Sequence, residues 1–335
     1  MTKKKIFITD FIQDDLQPER KILDDLADVI ACNAFHENEL TDTIAQADAI
    51  MLYHNLSLTR FTISKLQNCK LIVRCGVGFD NVDYRFAREK GIPVANVPDY
   101  GTEEIADSAI GMILALTRGI HFLNSKLREP STNTASEWTY KPIAPLYRLR
   151  GRTLGIIGLG RIGSATALRA KALGLRVVFY DPYLADGFDK SYGVIRVESL
   201  TELLNQSDIV SVHCPRSPET HHLLNAQTIA LLPRGAYLIN TARGDIVDTK
   251  AIPEAIANGQ LSGAAIDVLS QEPPADNDSF IQAWRDVKHP CYHRVIVNPH
   301  SAFYSEEGLQ DMRIKGANAC RNALLGHRLR NIVNA

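Results

Sequence analysis

The chain has 335 residues, and its 37 Lys and Arg residues nearly balance its 38 Asp and Glu residues, so the formal net charge is −1. This balance gives no electrostatic reason to expect a nucleic acid or an anionic membrane as a partner, because proteins usually bind both through a basic excess. No apolar run reaches the ~20 residues that cross a bilayer, and the six cysteines have no C-x-x-C spacing. Composition therefore predicts a soluble protein of two or three domains with reduced thiols, as in a cytoplasm.

Short apolar runs alternate with amphipathic stretches along the first hundred residues, which is typical of a parallel sheet connected by helices. Five runs predict the strands of one doubly wound sheet, at residues 5–9, 28–32, 48–53, 71–74 and 93–97. Apolar residues then recur at helical spacing from residue 102 to about residue 126. The length of this segment predicts a helix that bridges two domains.

The alternation restarts at residue 151 and predicts a second, larger parallel sheet. Its six apolar runs are residues 153–158, 176–180, 208–213, 235–240, 263–268 and 294–299. The segment 273–293 is interpreted as a long loop before the last strand. After that strand, Ser305 and two acids begin a helical pattern that extends to residue 325 and would return to the first domain.

A glycine-rich turn follows the first strand of the second set. Gly158, Gly160 and Gly163 form a G-x-G-x-x-G pattern with Arg161 and Ile162 inside it, and an Ala-rich helical stretch comes next. In a dinucleotide site these glycines allow a tight turn, close approach of the backbone to the pyrophosphate, and close packing of helix on strand. The helix amino terminus would then face the phosphates.

The next strand ends in Asp181, 18 positions beyond the last glycine of the turn. A carboxylate at this position would accept hydrogen bonds from the adenosine ribose and would repel a 2′-phosphate. Pro182 and Tyr183 follow, so no Arg or Lys is adjacent to bind that phosphate. The pattern therefore predicts NAD as the cofactor.

Four ionisable residues follow later strands of the second sheet: Arg243, Asp267, Glu272 and His300. Ligands of doubly wound sheets bind at the carboxyl ends of the strands, so these side chains are expected to converge on one site. Reduction of an oxo acid by a nicotinamide requires a cation for the carboxylate, a proton donor for the carbonyl oxygen, and a group that keeps this donor protonated. The set contains all three.

Several motifs resemble the D-isomer-specific 2-hydroxyacid dehydrogenase family, and the likeness covers nearly the whole chain. The motifs that carry it are GRTLGIIGLGRIG, NTARGDIVD, GAAIDVLSQEP and NPHSAFYSE. Further strings point to the C-terminal-binding-protein branch of that family in particular: YHNLSLTR, IVRCGVGFDNVD, NVPDYGTEEIADS and FYDPYLADG.

The resemblance implies a role for each member of the ionisable set. Arg243 would bind and polarise the oxo acid, His300 would be the general acid and base, and Glu272 would hydrogen-bond the imidazole. Asp267 would lie near the nicotinamide amide. The remaining residues expected to line the nucleotide, together with Arg243 and His300, are Cys214, Pro215, Thr220, Thr241 and Ala242.

The resemblance also implies a substrate side. The Gly76-Val77-Gly78 turn would supply backbone N–H groups to the substrate carboxylate, and Arg74 matches a substrate-facing arginine of the branch. Phe303 occupies the position at which animal members of the branch carry a tryptophan. The pocket is therefore expected to keep an aromatic wall of altered shape.

The family organisation implies two α/β domains with a cleft between them. Residues 1–100 and 302–335 would form a flavodoxin-like substrate domain, and residues 101–301 would form the NAD-binding Rossmann domain. The family further implies a homodimer joined through the nucleotide domains. No metal is expected, although His289, Cys291 and His293 lie close together, because structural zinc sites use paired ligand spacings.

Three functions fit this pattern. The leading one is an NAD-dependent enzyme that interconverts a D-2-hydroxy acid and its 2-oxo acid. The second is a dinucleotide-sensing scaffold that docks partner peptides, against which the intact Arg243, Glu272 and His300 set argues. The third is a 3-phosphoglycerate dehydrogenase, which would require further cations for the phosphate. Pocket shape decides between acids, so the sequence leaves the substrate open.

Overall fold

Two parallel sheets organise the residues that the computed structural model describes, which are 3–128 and 138–335. The sheets belong to two units of the chain, one made of residues 1–101 with 304–335 and the other of residues 102–303. These limits lie one and two residues from the predicted domain boundaries. The predicted α/β class with two doubly wound parallel sheets is confirmed.

The sheet of the first unit has five strands in the order β2-β1-β3-β4-β5. They are β1 (Lys4–Ile8), β2 (Ala27–Ala31), β3 (Ala49–Leu52), β4 (Ile72–Arg74) and β5 (Val94–Asn96). All residues of β3 and β4 are buried, as expected where helices cover both faces of a parallel sheet. The helices of this unit are α1 (Gln17–Leu23), α2 (Arg60–Ile63), α3 (Tyr84–Glu89) and the carboxyl-terminal helix Glu306–Leu324, with 3-10 turns at Glu37–Glu39 and Asp42–Gln46.

An ion-pair cluster attaches the carboxyl-terminal helix to the amino-terminal part of the first unit. The Arg313 guanidinium is 7% exposed and donates to both carboxylate oxygens of Glu19, which is fully buried, and of Asp14. Two charge-assisted hydrogen bonds from one guanidinium to each carboxylate fix the relative orientation of these three side chains. The 305–325 helix predicted from the sequence therefore packs within the first unit.

The sheet of the second unit has seven strands in the order β12-β11-β10-β9-β6-β7-β8. They are β6 (Thr153–Ile157), β7 (Arg176–Tyr180), β8 (Ile195–Arg196), β9 (Ile209–Val212), β10 (Ala236–Asn240), β11 (Leu261–Ile266) and β12 (Val295–Val297). Six of them match the predicted runs, whereas β8 was missed because two residues are too few to display a period. The strand order reverses at β6, and open α/β sheets bind ligands at such a switch point.

The predicted long helix after residue 102 is interrupted. Gly119 adopts a φ of +62° and separates α4 (Thr102–Arg118) from α5 (Ile120–Lys126). Both helices belong to the second unit, and the buried face of α4 packs into that unit's core through Ala109, Met112 and Ile113. The prediction of a helix bridging two domains is therefore wrong, because the apolar stripe of α4 covers the sheet of one unit.

The remaining helices of the second unit connect its strands in sequence. They are α6 (Arg161–Ala172), α7 (Phe188–Tyr192), α8 (Leu200–Asn205), α9 (Ala226–Ile229), α10 (Ile252–Ala257), α11 (Ser279–Arg285) and α12 (Cys291–Arg294), with 3-10 turns at Lys141–Ile143, Gly244–Ile246 and Thr249–Ala251. Helix α11 lies within the segment 273–293 predicted to be a loop, and α12 begins in it. The Asp278 side chain caps α11 by accepting from Ile281 N. Of the helices in the described ranges, none alone has the length and apolar character to cross a membrane; α4 and α5 meet that test only as a pair bent by 61°.

Candidate functional site

The glycine turn lies at the carboxyl end of β6, and its glycines are required by geometry. Gly158 has a φ of +90°, and a Cβ on it would lie 2.8 Å from backbone atoms of Cys214. A Cβ on Gly163 would lie 2.1 Å from the Gly158 carbonyl oxygen, whereas a Cβ on Gly160 would meet nothing within 4 Å. Two glycines thus permit close backbone packing, and the third leaves open space beside the first turn of α6, where a phosphate can approach.

Asp181 is joined directly to this turn. Its Oδ2 accepts a hydrogen bond from Leu159 N at 3.0 Å, and its Oδ1 accepts one from Tyr183 N at 3.1 Å. These contacts hold the carboxylate at the carboxyl end of β7, beside the glycine turn, while each oxygen retains a further lone pair for a ribose hydroxyl.

Other residues predicted to line the nucleotide follow β9 and β10. Cys214 is buried and packs against the glycine turn, while the Thr220 hydroxyl donates to Pro215 O and fixes the loop after β9. After β10, Ala242 N donates to the Asn240 side chain. The Thr241 hydroxyl is buried without a hydrogen-bond partner in the part of the chain that is described. An unsatisfied hydroxyl at the carboxyl end of β10 is the kind of group that a bound dinucleotide would satisfy, so these residues fit NAD.

His300 and Glu272 form the central contact of the site. His300 Nδ1 lies 2.7 Å from Glu272 Oε2, and Glu272 Oε1 accepts a hydrogen bond from Leu269 N. The two side chains are 24% and 35% exposed, so the imidazole is held on one side by a carboxylate and remains accessible to a ligand. This is the arrangement of a general acid oriented by a second group.

The backbone around His300 is held by Asp267. His300 N donates to Asp267 O at 2.8 Å, and the Asp267 carboxylate accepts from Ser301 N and Ala302 N. His300 adopts a φ of +51°, a conformation that a non-glycine residue keeps only where its surroundings enforce it. Burial raises the pKa of Asp267, and the two backbone donors oppose this rise. Both oxygens of the Asp267 carboxylate therefore accept from backbone N–H groups. These contacts give Asp267 a positioning role in addition to the nicotinamide contact predicted for it.

Arg243 lies in the loop after β10. Gly244 lets this loop pack closely against the segment that carries Glu272. A Cβ on Gly244 would lie 1.9 Å from the Leu269 backbone, so only glycine permits this approach. Arg243 is half-buried; its Nη1 donates to Ala242 O, and its own carbonyl accepts from Asn240 Nδ2. The loops that carry Arg243, Glu272 and His300 therefore lie together at the carboxyl edge of the seven-stranded sheet.

Phe303 follows His300 at the end of the second unit. Its ring is 8% exposed and stands edge-on to the His300 imidazole, with ring centroids 6.1 Å apart and an interplanar angle of 86°. This contact places an aromatic ring beside the imidazole.

Arg74 and the Gly76-Val77-Gly78 turn lie in the first unit, at the carboxyl end of β4. Arg74 is only 6% exposed; its guanidinium contacts Asn81 Oδ1 and the Cys75 carbonyl and lies over Gly76, where a Cβ would be 1.5 Å from Arg74 Nη1. Gly76 has a φ of +152°. The arginine is therefore buried and built into the glycine turn.

Sequence reasoning missed two polar residues of this edge. Asp10 is 1% exposed and accepts from Tyr53 N and Asn55 N, and Asn81 donates from Nδ2 to Tyr53 O and Leu56 O. Burial raises the pKa of Asp10, while its hydrogen bonds and the Arg74 charge lower it. The signal that would have indicated Asp10 is its place directly after a strand, the same signal that indicated the ionisable residues of the second sheet.

No metal centre is indicated by the described side chains. Within residues 3–128 and 138–335, no group of three or more His, Cys, Asp or Glu side chains is arranged to hold an ion. His289, Cys291 and His293 lie near one another in sequence, but the His289 ring accepts from Cys291 N and burial raises the pKa of the Cys291 thiol to about 11. A thiol with such a pKa is a poor ligand, because metals bind the thiolate.

Comparisons with known proteins agree with this geometry. Residues 110–302 match the family model described as D-isomer specific 2-hydroxyacid dehydrogenase, NAD binding domain. The chain is 34% identical over 330 residues, 98% of its length, to D-3-phosphoglycerate dehydrogenase of Methanocaldococcus jannaschii, and 33% identical over 313 residues, 93% of its length, to C-terminal-binding protein 1 of Caenorhabditis elegans. It spans only 59% and 42% of the length of these relatives.

Solved structures extend the likeness over the whole chain. The D-lactate dehydrogenase of Aquifex aeolicus, solved with NAD and lactic acid, superposes with a TM-score of 0.83 at 30% sequence identity, covering 98% of this chain and 99% of that one. The two sheets described above therefore match, in one known protein, a fold crystallised with a nicotinamide dinucleotide and a 2-hydroxy acid.

Proposed function

Since the chain belongs to the D-isomer specific 2-hydroxyacid dehydrogenase family, we propose that it interconverts a D-2-hydroxy acid and its 2-oxo acid with NAD. The observation that carries the proposal is the 2.7 Å contact between His300 Nδ1 and Glu272 Oε2. It lies at the same carboxyl edge of the seven-stranded sheet as the glycine turn and Asp181. A peptide-docking scaffold would not need an accessible imidazole oriented by a carboxylate.

The chain's own residues supply acid–base chemistry and orientation. When bound, the nicotinamide supplies the hydride that reduces the carbonyl carbon of the oxo acid. His300 donates a proton from Nε2 to the carbonyl oxygen as that oxygen gains charge, and it takes the proton back in the oxidative direction. Glu272 accepts from Nδ1, which directs Nε2 at the substrate.

Binding of the oxo acid requires cationic or N–H groups. We assign the polarisation of the carboxylate and carbonyl to Arg243, whose guanidinium has the planar donor geometry that carboxylates accept. On the family resemblance we assign contacts with the carboxylate to Gly76, Val77 and Gly78 as well, with Arg74 fixed over that turn. Phe303 would limit the space beside His300.

Two broader properties belong to the same proposal. Described large apolar side chains are exposed in and after α5, which supports a homodimer joined through the second unit; they are Ile120, Leu127, Trp138, Tyr140 and Tyr147. All six cysteines are unpaired, which supports a reducing compartment such as the cytoplasm. Sedimentation of the parent and of an Ile120→Lys variant tests the first property, because a charge within a dimer interface would shift the population to monomers.

A screen of NADH oxidation tests the activity. The purified chain is incubated with NADH and 2-oxo acids that vary in size, charge and phosphate content, including pyruvate, phenylpyruvate and 3-phosphohydroxypyruvate. We expect that at least one acid is reduced to its D-2-hydroxy acid and that His300→Gln sharply lowers this turnover. No turnover together with capture of short peptides in the presence of NADH would instead support the scaffold function.

A further inference from the structure

Three loops at the carboxyl edge of the five-stranded sheet form a continuous row. Asp10 and Phe11 follow β1, Tyr53 and His54 follow β3, and Arg74 follows in β4. Because β1, β3 and β4 are adjacent in the strand order, the ends of these strands are neighbours in space. The row thus borders the Gly76 turn within the same unit.

Hydrogen bonds hold this row rigidly. The buried Asp10 carboxylate binds the backbone of the loop after β3 at Tyr53 N and Asn55 N, at 2.9 and 2.7 Å. Asn81 binds the same loop through Tyr53 O and contacts the Arg74 guanidinium through its Oδ1. A site whose side chains and loops are held by such supporting hydrogen bonds keeps a fixed shape for its ligand.

Phe11 is the unusual member of the row. Ile12 N donates to Asp10 O at 2.8 Å, so Phe11 is the central residue of a three-residue turn, and its φ is +68°. Positive φ is rare for a bulky side chain and persists where the surroundings enforce it, often at functional sites. The half-buried Phe11 ring lies 4.5 Å from the His54 ring and 5.6 Å from the Tyr53 ring, measured between centroids.

We propose that the Phe11 ring, supported by His54, is the wall that contacts the side chain of the oxo acid and selects acids with flat or branched apolar side chains. This inference rests on the proposed function. An apolar ring gains by covering apolar surface and has no donor for a phosphate or carboxylate.

The variant Phe11→Gly tests this role with little risk to folding, because glycine adopts positive φ without steric cost. We expect the parent to prefer phenylpyruvate and 4-methyl-2-oxopentanoate to pyruvate and 3-phosphohydroxypyruvate. The variant should lose ~10–100-fold in kcat/KM for the two large apolar acids. Its kcat/KM for glyoxylate, which has no side chain to reach Phe11, should remain unchanged.

A matched control is Phe61→Ala, which removes a ring of the same unit that is 56% exposed. It should leave the order of substrates unchanged. The inference is overturned if Phe11→Gly lowers kcat/KM equally for all acids, or if the parent prefers the phosphorylated acid. If the parent turns over no 2-oxo acid, the proposed function itself fails; turnover with no selective effect of Phe11→Gly overturns the inference alone.

Discussion

The carboxyl edges of the two sheets hold their charged groups in opposite ways. At the edge of the seven-stranded sheet, His300 and Glu272 contact each other by their side chains and stay 24% and 35% exposed. At the edge of the five-stranded sheet, Asp10 and Arg74 are 1% and 6% exposed and are held by backbone groups and Asn81. A group that exchanges a proton with a ligand needs access to it, whereas a group that shapes a pocket needs rigidity. This difference fits our proposal that the chemical step takes place at the first edge and that the second edge selects the substrate.

The largest effect should come from the exposed imidazole. His300→Gln removes the general acid while keeping a polar side chain of similar length, so kcat should fall ~10²–10⁴-fold. NADH binding, measured by fluorescence titration, should persist because Asp181 and the glycine turn are unchanged. Unchanged turnover in this variant would show that His300, and with it this edge of the sheet, does not carry out the chemical step.

A smaller effect, on KM and not on kcat, is expected at the edge of the five-stranded sheet, where the charged groups are buried. Arg74→Gln should raise KM for the oxo acid with little change in kcat, because a hydrogen bond to a charged group contributes about 1.5–3 kcal/mol and Arg74 would act in binding. That range corresponds to about 10–150-fold in kcat/KM. The exposed Arg85→Gln is the control. A fall in kcat at constant KM would contradict the division between the two edges.

The preference between NADH and NADPH tests the role of Asp181, which lies at the edge of the seven-stranded sheet away from the imidazole. Asp181→Ala removes the carboxylate that would repel a 2′-phosphate, so the ratio of kcat/KM for NADH to that for NADPH should fall by roughly tenfold. Steady-state rates with both cofactors measure this ratio at one concentration of the preferred oxo acid. An unchanged ratio would mean that Asp181 only closes the backbone turn through Leu159 N.

The smallest effect concerns a buried carboxylate at each edge. Burial is the main cause that raises the pKa of both Asp267 and Asp10. A raised native-state pKa means that the charged form destabilises the fold, so this cost is present above the raised pKa and disappears as pH falls through it toward the usual value. The free energy of unfolding of the parent should therefore rise relative to Asp267→Asn and to Asp10→Asn on acidification. Denaturant unfolding between about pH 7 and about pH 4 checks the sign, and a fall relative to either variant would contradict it.

Strand positions were predictable because each strand is a short run of consecutive apolar residues. The prediction failed where the signal was short or depended on a single residue. Strand β8 has two residues, and the helix after residue 102 ends at Gly119 because that glycine takes a φ of +62°. Helix α11 was missed because the segment around it reads as polar, although Phe280 and Ile281 are fully or almost fully buried.

The candidate site likewise contains residues that the sequence indicated and residues that it did not. The roles of Arg243, Glu272 and His300 came from their places after strands together with the family resemblance. Nothing local reveals that Asp267 binds Ser301 N and Ala302 N, because those partners lie 34 and 35 positions away. Phe11 likewise gave no signal, since its ring contacts His54, which lies far along the chain on the loop after β3.

By itself the sequence determined the alternation of strands and helices, the dinucleotide turn, Asp181 and the ionisable set after the later strands. Periodicity, and the need for glycine in a tight turn, act over a few residues and can be identified locally. The tertiary structure decided which charges are buried, where the long helix breaks, and that Arg74, Asn81 and Phe11 border one edge. Burial and contact depend on residues far apart in the chain, so only the folded sheet brings these side chains together.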